Sequence, residues 1–258
     1  MNNIPQTKEE LKDLIEVEIA QNGYRCDLNH IDVSLVADFS CLFSNSEFDG
    51  TISKWNVSSA TDMSAMFDES QFNGDISRWD VSSVTNMNSI FHFCKFNGDI
   101  SNWDVSNVKA MNSMFYRTGF NGDISDWNVS SVEDMCAMFK DSDFNGDISK
   151  WDVSGATNVG YMFMNSGFNG DLSRWNVSSV VSMTGMFCRS DFKGDISGWN
   201  TTSVNNKNCM FAESEIAKNL GIENPSFEQV KSYFLNLKLE TDLKYISPGQ
   251  GQVSKVRL

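Results

Sequence analysis

The chain has 258 residues, of which 40% are hydrophobic, 12% aromatic and 21% charged, and 34 acidic against 20 basic side chains give a formal net charge of −14. That charge argues against a nucleic-acid backbone or an anionic membrane surface as the main partner. Two histidines are too few for a centre built on several imidazoles, and no apolar run reaches the about 18 residues of a membrane span.

The chain opens with MNNIPQTKEELKDLIEVEIAQNG. It lacks a basic start followed by an apolar core and a small-residue cleavage site, so no export signal is read and a cytoplasmic location is expected, with a surface or secreted one as the alternative. Thr7-x-x-Glu10 reads as a capping box, Thr7 accepting from the Glu10 amide and Glu10 from the Thr7 amide. Leu11, Leu14, Ile15 and Ile19 follow on one helical face, and Gly23 stops the helix. Residues 1–26 are thus expected to form an N-terminal cap helix. A degenerate first unit follows over 27–43, with Leu28, Ile31, Val33, Val36, Phe39 and Phe43 as its core.

From there the sequence is periodic. Its seven tryptophans, Trp55, Trp79, Trp103, Trp127, Trp151, Trp175 and Trp199, recur every 24 residues. Phe48 to Phe192, Gly50 to Gly194 and the phenylalanines from Phe43 to Phe211 keep the same interval, the signature of a stacked array. In the unit FNGDISRWDVSSVTNMNSIFHFCK, residues 72–95, Ile76, Trp79, Val81 and Val84 have the spacing LxxLxLxxx. Trp79 and Val81, two apart, predict a short strand with both side chains on one side. Val84, Met87, Ile90 and Phe91 predict a short helix, with Ser82 or Ser83 as its cap. The expectation is an α/β repeat solenoid, leucine-rich-repeat-like. Its 24-residue units would pair short strands into a parallel sheet about 4.8 Å apart and stack their indoles in the core, and a helix would close each end. The solenoid is placed at residues 27–211.

Towards the end the pattern decays, Thr201 replacing the strand valine and Lys207 the helix methionine. Residues 212–246 are expected to form a helical cap, with Ser226-x-x-Gln229 as its capping box and Phe227, Val230, Phe234 and Leu237 facing the array. The tail over 247–258, SPGQGQVSKVRL, is polar, Gly-containing and basic, and is expected to be mobile.

The pattern FNGDISxW[DN]VSSVxxMxxMF, as in Phe72–Phe91 and Phe144–Phe163, resembles the BspA-like bacterial leucine-rich repeats, also described as mycoplasma-lipoprotein-type surface repeats. The resemblance covers residues 27–211. It implies surface or secreted interaction proteins and carries over no catalytic residue.

Two columns of side chains invite a chemical reading. The GDIS aspartates Asp75, Asp99, Asp123, Asp147, Asp171 and Asp195 are expected to accept turn amides; the competing reading is a calcium ladder, against which Ca²⁺ demands six to eight oxygens. Asn56, Asp80, Asp104, Asn128, Asp152, Asn176 and Asn200 interchange freely, so the oxygen matters more than the charge. Beside them Lys54, Arg78, Asn102, Asp126, Lys150, Arg174 and Gly198 vary while their neighbours do not. Lys54, Arg78, Asp80, Asp104, Asp126, Lys150, Asp152 and Arg174 are therefore the candidate partner-binding residues, on an open sheet face. The NxS and NxT sequons at Asn56, Asn128, Asn176 and Asn200 fall out of the repeat.

His30 and His92 occupy unrelated phases, no phosphate-binding or metalloprotease motif occurs, and the cysteines at 26, 41, 94, 136, 188 and 209 have no CxxC spacing. They read as free, reduced thiols. Catalysis, a cofactor and a metal are not expected. The expected function is a non-enzymatic, monomeric scaffold binding a protein partner. Two alternatives stand beside it. One is an acidic decoy of phage or immunity type that mimics nucleic acid and inhibits an enzyme, since residues 27–211 hold 23 acidic against 11 basic side chains. The other is an exported adhesin or carbohydrate binder using exposed tryptophans.

Overall fold

The computed structural model describes residues 4–246, with side chains through Leu243. Between helix α1 (Lys8–Asn22) and the pair α2 (Glu215–Leu220) and α3 (Phe227–Ile246) the chain winds as stacked 24-residue coils made almost wholly of turns.

In the coil over 72–95, Ile76 and Trp79 end one turn, closed by the Trp79 amide on the Ile76 carbonyl at 3.2 Å, and Val81 and Val84 end the next at 2.9 Å. Asp75 and Asp80 set up these turns, each Oδ1 accepting the amide two residues on, Ser77 at 3.0 Å and Ser82 at 3.1 Å. Apolar residues at the two bases of a turn both face inward, and the middle residues face out. Met87–Cys94 is then a run of overlapping turns, with Ser89 and Phe93 in the left-handed region at φ 56° and 51°. Its alternate amides leave the coil: Met87, Ser89, Phe91 and Phe93 donate to the carbonyls of Ala110, Asn112, Met114 and Tyr116 in the next coil at 2.8–3.2 Å.

This overturns the α/β, leucine-rich-repeat-like expectation. Among the described residues there is no β-strand, only isolated parallel bridges, running from Asp38↔Asp62 to Ser182↔Asn206 in the array, and no coil contains a helix. The strand expected at Trp79–Val81 is a junction between two turns. The helix expected at Val84–Phe91 is replaced by the ladder segment. The physical reason is shared. A spacing of three marks one face of a helix, but it equally marks the two ends of a β-turn. So short a segment has too few internal bonds to offset helix nucleation, while the neighbouring coil offers acceptors for the same amides.

The core is a set of aromatic columns. Each tryptophan is only 3–4% exposed. Each indole N–H donates to a carbonyl of the preceding coil, Trp79 to Ile52 at 3.2 Å and Trp127 to Ile100 at 3.1 Å. The phenylalanines from Phe43 to Phe211 stack 5.7–5.9 Å apart, those from Phe48 to Phe192 6.2–6.4 Å apart. Pure translation of identical coils would give one spacing everywhere. The different spacings require each coil to rotate on the last.

Paired backbones lie about 4.8 Å apart, which puts the hydrogen-bonded ladder on the tight side and the FNGDIS and Trp segments on the wide side. Side chains bridge the wider gap: the Asn97 amide donates to Asn73 Oδ1, and the Asn121 amide to Asn97 Oδ1, at 2.9 and 3.2 Å. The glycine of the same motif leaves no room for a side chain. A Cβ on Gly122 would lie 2.8 Å from the buried Phe120 ring.

The ends are closed by side chains. Thr7 Oγ1 accepts from the Glu10 amide at 3.2 Å, but Glu10 accepts from Gln6 rather than Thr7. Leu11 and Ile15 are buried, and Lys8 pairs with Asp38 at 3.0 Å. In the first coil Leu28, Ile31, Val33, Val36, Phe39 and Phe43 are all buried. At the other end Ser226 and Gln229 exchange both capping bonds. Phe227, Val230 and Phe234 are buried, while Leu237 stays 41% exposed, off the expected face. Helix α2, capped by Ser214, had no sequence expectation. The expected mobile tail, 247–258, lies outside the described residues.

Candidate interaction surface

The GDIS aspartates do what their turn role requires. Asp99, Asp123, Asp147 and Asp171 each accept the amide of the serine two residues on at 2.9–3.0 Å. These bonds hold the carboxyls of Asp75, Asp99, Asp123, Asp147 and Asp171 below their usual range. A folded-state pKa below the unfolded one stabilises fully above the unfolded value, about 3.9. That contribution is lost as pH falls through the lower folded values. Thermal melts from pH 7 to 2.5 are expected to be level down to about pH 4 and then fall. A melting temperature that rises on acidification would show that relief of carboxylate repulsion dominates instead.

All eight candidate partner-binding residues, Lys54, Arg78, Asp80, Asp104, Asp126, Lys150, Asp152 and Arg174, are exposed. They occupy turn corners on the wide side of the array, not a sheet face. Asp80, Asp104 and Asp152 are engaged locally, their Oδ1 atoms accepting from Ser82, Ser106 and Ser154 at 3.0–3.1 Å. The serine bonds lower the carboxyls of Asp104 and Asp152. Asn56, Asn128 and Asn176 make the same bond to Ser58, Ser130 and Ser178 at 3.2 Å, which explains why Asp and Asn interchange there.

A second surface emerges where a helix was expected. The two residues after each ladder phenylalanine form two columns along the coils, all exposed or half-buried except the buried Cys188. One runs Ser44, Asp68, His92, Tyr116, Lys140, Met164, Cys188, Ala212, and the other Asn45, Glu69, Phe93, Arg117, Asp141, Asn165, Arg189, Glu213. The second column is held in the left-handed region throughout, at φ 51–58°, so its side chains splay outward.

The middle of this ridge is aromatic and basic. Arg117 lies 4.9 Å from the Phe93 ring centre and 5.7 Å from that of Tyr116; Lys140 lies 4.8 Å from Tyr116 and 6.0 Å from Tyr161. Arg117 also pairs with Asp141 at 3.5 Å, and Arg189 with Glu213 at 3.0 Å. Phe93 and Tyr161 are 38% and 40% exposed, whereas the ladder phenylalanines beside them are buried. An open hollow of about 980 Å³ adjoins the ridge, lined by Tyr24, Arg25, Phe93, Lys95 and Arg117 among others, and by none of the eight wide-side residues.

The sequence carried a signal for this ridge: residues that change from coil to coil beside an unchanging phenylalanine, the same criterion that picked out the Lys54 column. Read as a helix, the segment had no reason to present those positions side by side. The cysteines are unpaired. Cys94 is buried, and that burial pushes its thiol pKa up.

Stacked coils with sealed aromatic cores and a variable outer ridge define a repeat protein whose diversity lies on its surface. The chain belongs to the family described as Mycoplasma protein of unknown function, DUF285, whose model matches residues 14–119, 92–191 and 144–240. No curated protein and no solved structure matches it significantly. No helix among the described residues is long and apolar enough to cross a membrane.

Proposed function

We propose that the protein is a non-enzymatic scaffold that binds a protein partner through the ridge of Phe93, Tyr116, Arg117, Lys140 and Tyr161. The supporting observation is composition in place. In a chain that buries every tryptophan, exposed aromatic rings on the array gather with Arg and Lys on one strip, and aromatic and arginine side chains dominate the energetics of protein interfaces. The interlocked coils hold that strip at low ordering cost. The FNGDISxW motif supports a closer kinship with the BspA-like surface repeats and, with it, a surface-interaction role. Burial of the indoles counts against carbohydrate binding through tryptophan. The basic ridge counts against nucleic-acid mimicry.

The test is a pull-down from native host cells followed by alanine substitution. Phe93→Ala and Arg117→Ala are expected to weaken partner binding by about 2 kcal/mol or more each, with the melting temperature unchanged. Charge reversal at Lys54, Arg78, Lys150 or Arg174 is expected to change affinity little. If only the wide-side reversals abolish binding, the ridge is not the interface. If affinity instead collapses steeply with salt, the acidic-decoy reading replaces this one.

A further inference from the structure

We propose that Asp68, Glu69 and His92 form a surface site for a divalent transition-metal ion of the zinc type. The site rests on its own residues and not on the scaffold reading.

Asp68 and His92 occupy the same column in successive coils, and Glu69 follows Asp68. One ligand atom from each of the three lies within 4.8 Å of the others. Zinc bonds of about 2.0–2.1 Å need donor atoms only about 3–3.5 Å apart, so small side-chain rotations suffice. The backbone beneath is fixed: the Glu69 amide donates to the His92 carbonyl at 2.8 Å, and Phe67 to Ile90 at 3.0 Å. Asp68 Oδ1 and His92 Nδ1 already share a hydrogen bond, which turns the imidazole towards the carboxylates. Both side chains are about four-fifths covered, at 21% and 23% exposure.

Charge balance points the same way. Elsewhere on the ridge the carboxylates have arginine partners, Asp141 with Arg117 and Glu213 with Arg189. Among the described residues no Lys or Arg lies within ion-pair distance of Asp68 or Glu69, and His92 is the one basic group beside them. Two adjacent carboxylates and one imidazole supply two oxygens and one nitrogen, a donor set that suits zinc better than calcium, which takes six to eight oxygens. Three protein ligands leave a coordination position open to water or to a donor from a partner. The sequence hid this site because its members come from two coils. His92 looked isolated until the stack set it beside residue 68.

The test uses the full chain with Cys41→Ser and Cys209→Ser, which removes the two exposed thiols that would bind zinc by themselves. Zinc chloride is titrated by calorimetry and thermal shift. One ion per chain is expected to bind with a micromolar dissociation constant and to raise the melting temperature, whereas calcium chloride does neither. Outer-shell partners of a metal are already worth about 10–100-fold. His92→Gln and Asp68→Asn are therefore expected to weaken binding by at least about tenfold without changing the metal-free melting temperature. His30→Gln, remote in sequence and bonded to Glu18 and Asp27, leaves binding unchanged. Equal zinc affinity in the His92→Gln and parent proteins, or no saturable binding by the parent, overturns the proposal.

Discussion

Trp127→Ala is expected to lower the stability of the whole array by about 3–5 kcal/mol, the range for removing a buried tryptophan. The ring is 4% exposed and packs 6.4 Å from Phe115. Its loss opens a cavity in the middle of a column that neighbouring coils, held by their own ladders, cannot close. It also strips the Ile100 carbonyl of the indole N–H that reaches it at 3.1 Å, leaving that oxygen the Trp103 amide alone, and a lost hydrogen bond of this kind costs about 0.5–1.5 kcal/mol. Trp127→Phe separates the two effects, keeping most of the area and losing the donor. Urea unfolding checks both variants. If Trp127→Ala costs no more than an exposed substitution, the indole column is not the core.

Deleting half a unit is expected to be worse than deleting a whole one. Removal of residues 96–119 joins Lys95 to Phe120, which has the same phase as Phe96, so every ladder bond and ring stack re-forms one coil shorter. Each coil contacts chiefly its neighbours, and such arrays lose roughly one unit and one interface when a unit is removed. Removal of residues 96–107, which takes out Trp103, leaves the coils on either side in register among themselves but sets the two stacks half a turn out of phase at the junction. The amides at Met87, Ser89, Phe91 and Phe93 then face a displaced chain, and the tryptophan column is broken between Trp79 and Trp127. The whole-unit deletion should melt cooperatively with protected tryptophan fluorescence; the half-unit deletion should melt at a clearly lower temperature, with red-shifted emission from the tryptophans beside the broken junction. A half-unit variant as stable as the parent would mean that register between coils does not matter.

The array was legible in the sequence because the rarest side chain marks each coil once. Seven tryptophans at a fixed interval can stack only if the coils do, and their burial, the turn role of Asp75 and its copies, and the Ser226–Gln229 cap could all be argued from residue types. The conformation within a coil was not legible. Val84, Met87, Ile90 and Phe91 carry a spacing common to helices and to successive turns, and only the neighbouring coil decides between them by accepting the amides of Met87 and Ser89. Nor does sequence announce that Ser89 and Phe93, neither of them glycine, adopt left-handed backbone; the ladder imposes it. That local misreading displaced the candidate site. A helix at 84–91 left the open face near Lys54 and Arg78, whereas the turns carry His92, Tyr116 and Lys140 outward in a single column.

The most direct measurement is the scalar coupling across the hydrogen bond between the amide nitrogen of Ser113 and the carbonyl carbon of Cys136, 2.8 Å from donor to acceptor, in deuterated, isotope-labelled protein. A resolved coupling for this pair, and for Met111 with Asp134, is the predicted result. A coupling from the Phe115 amide to the Met111 carbonyl within the same unit, the pattern of a helix, would contradict the account.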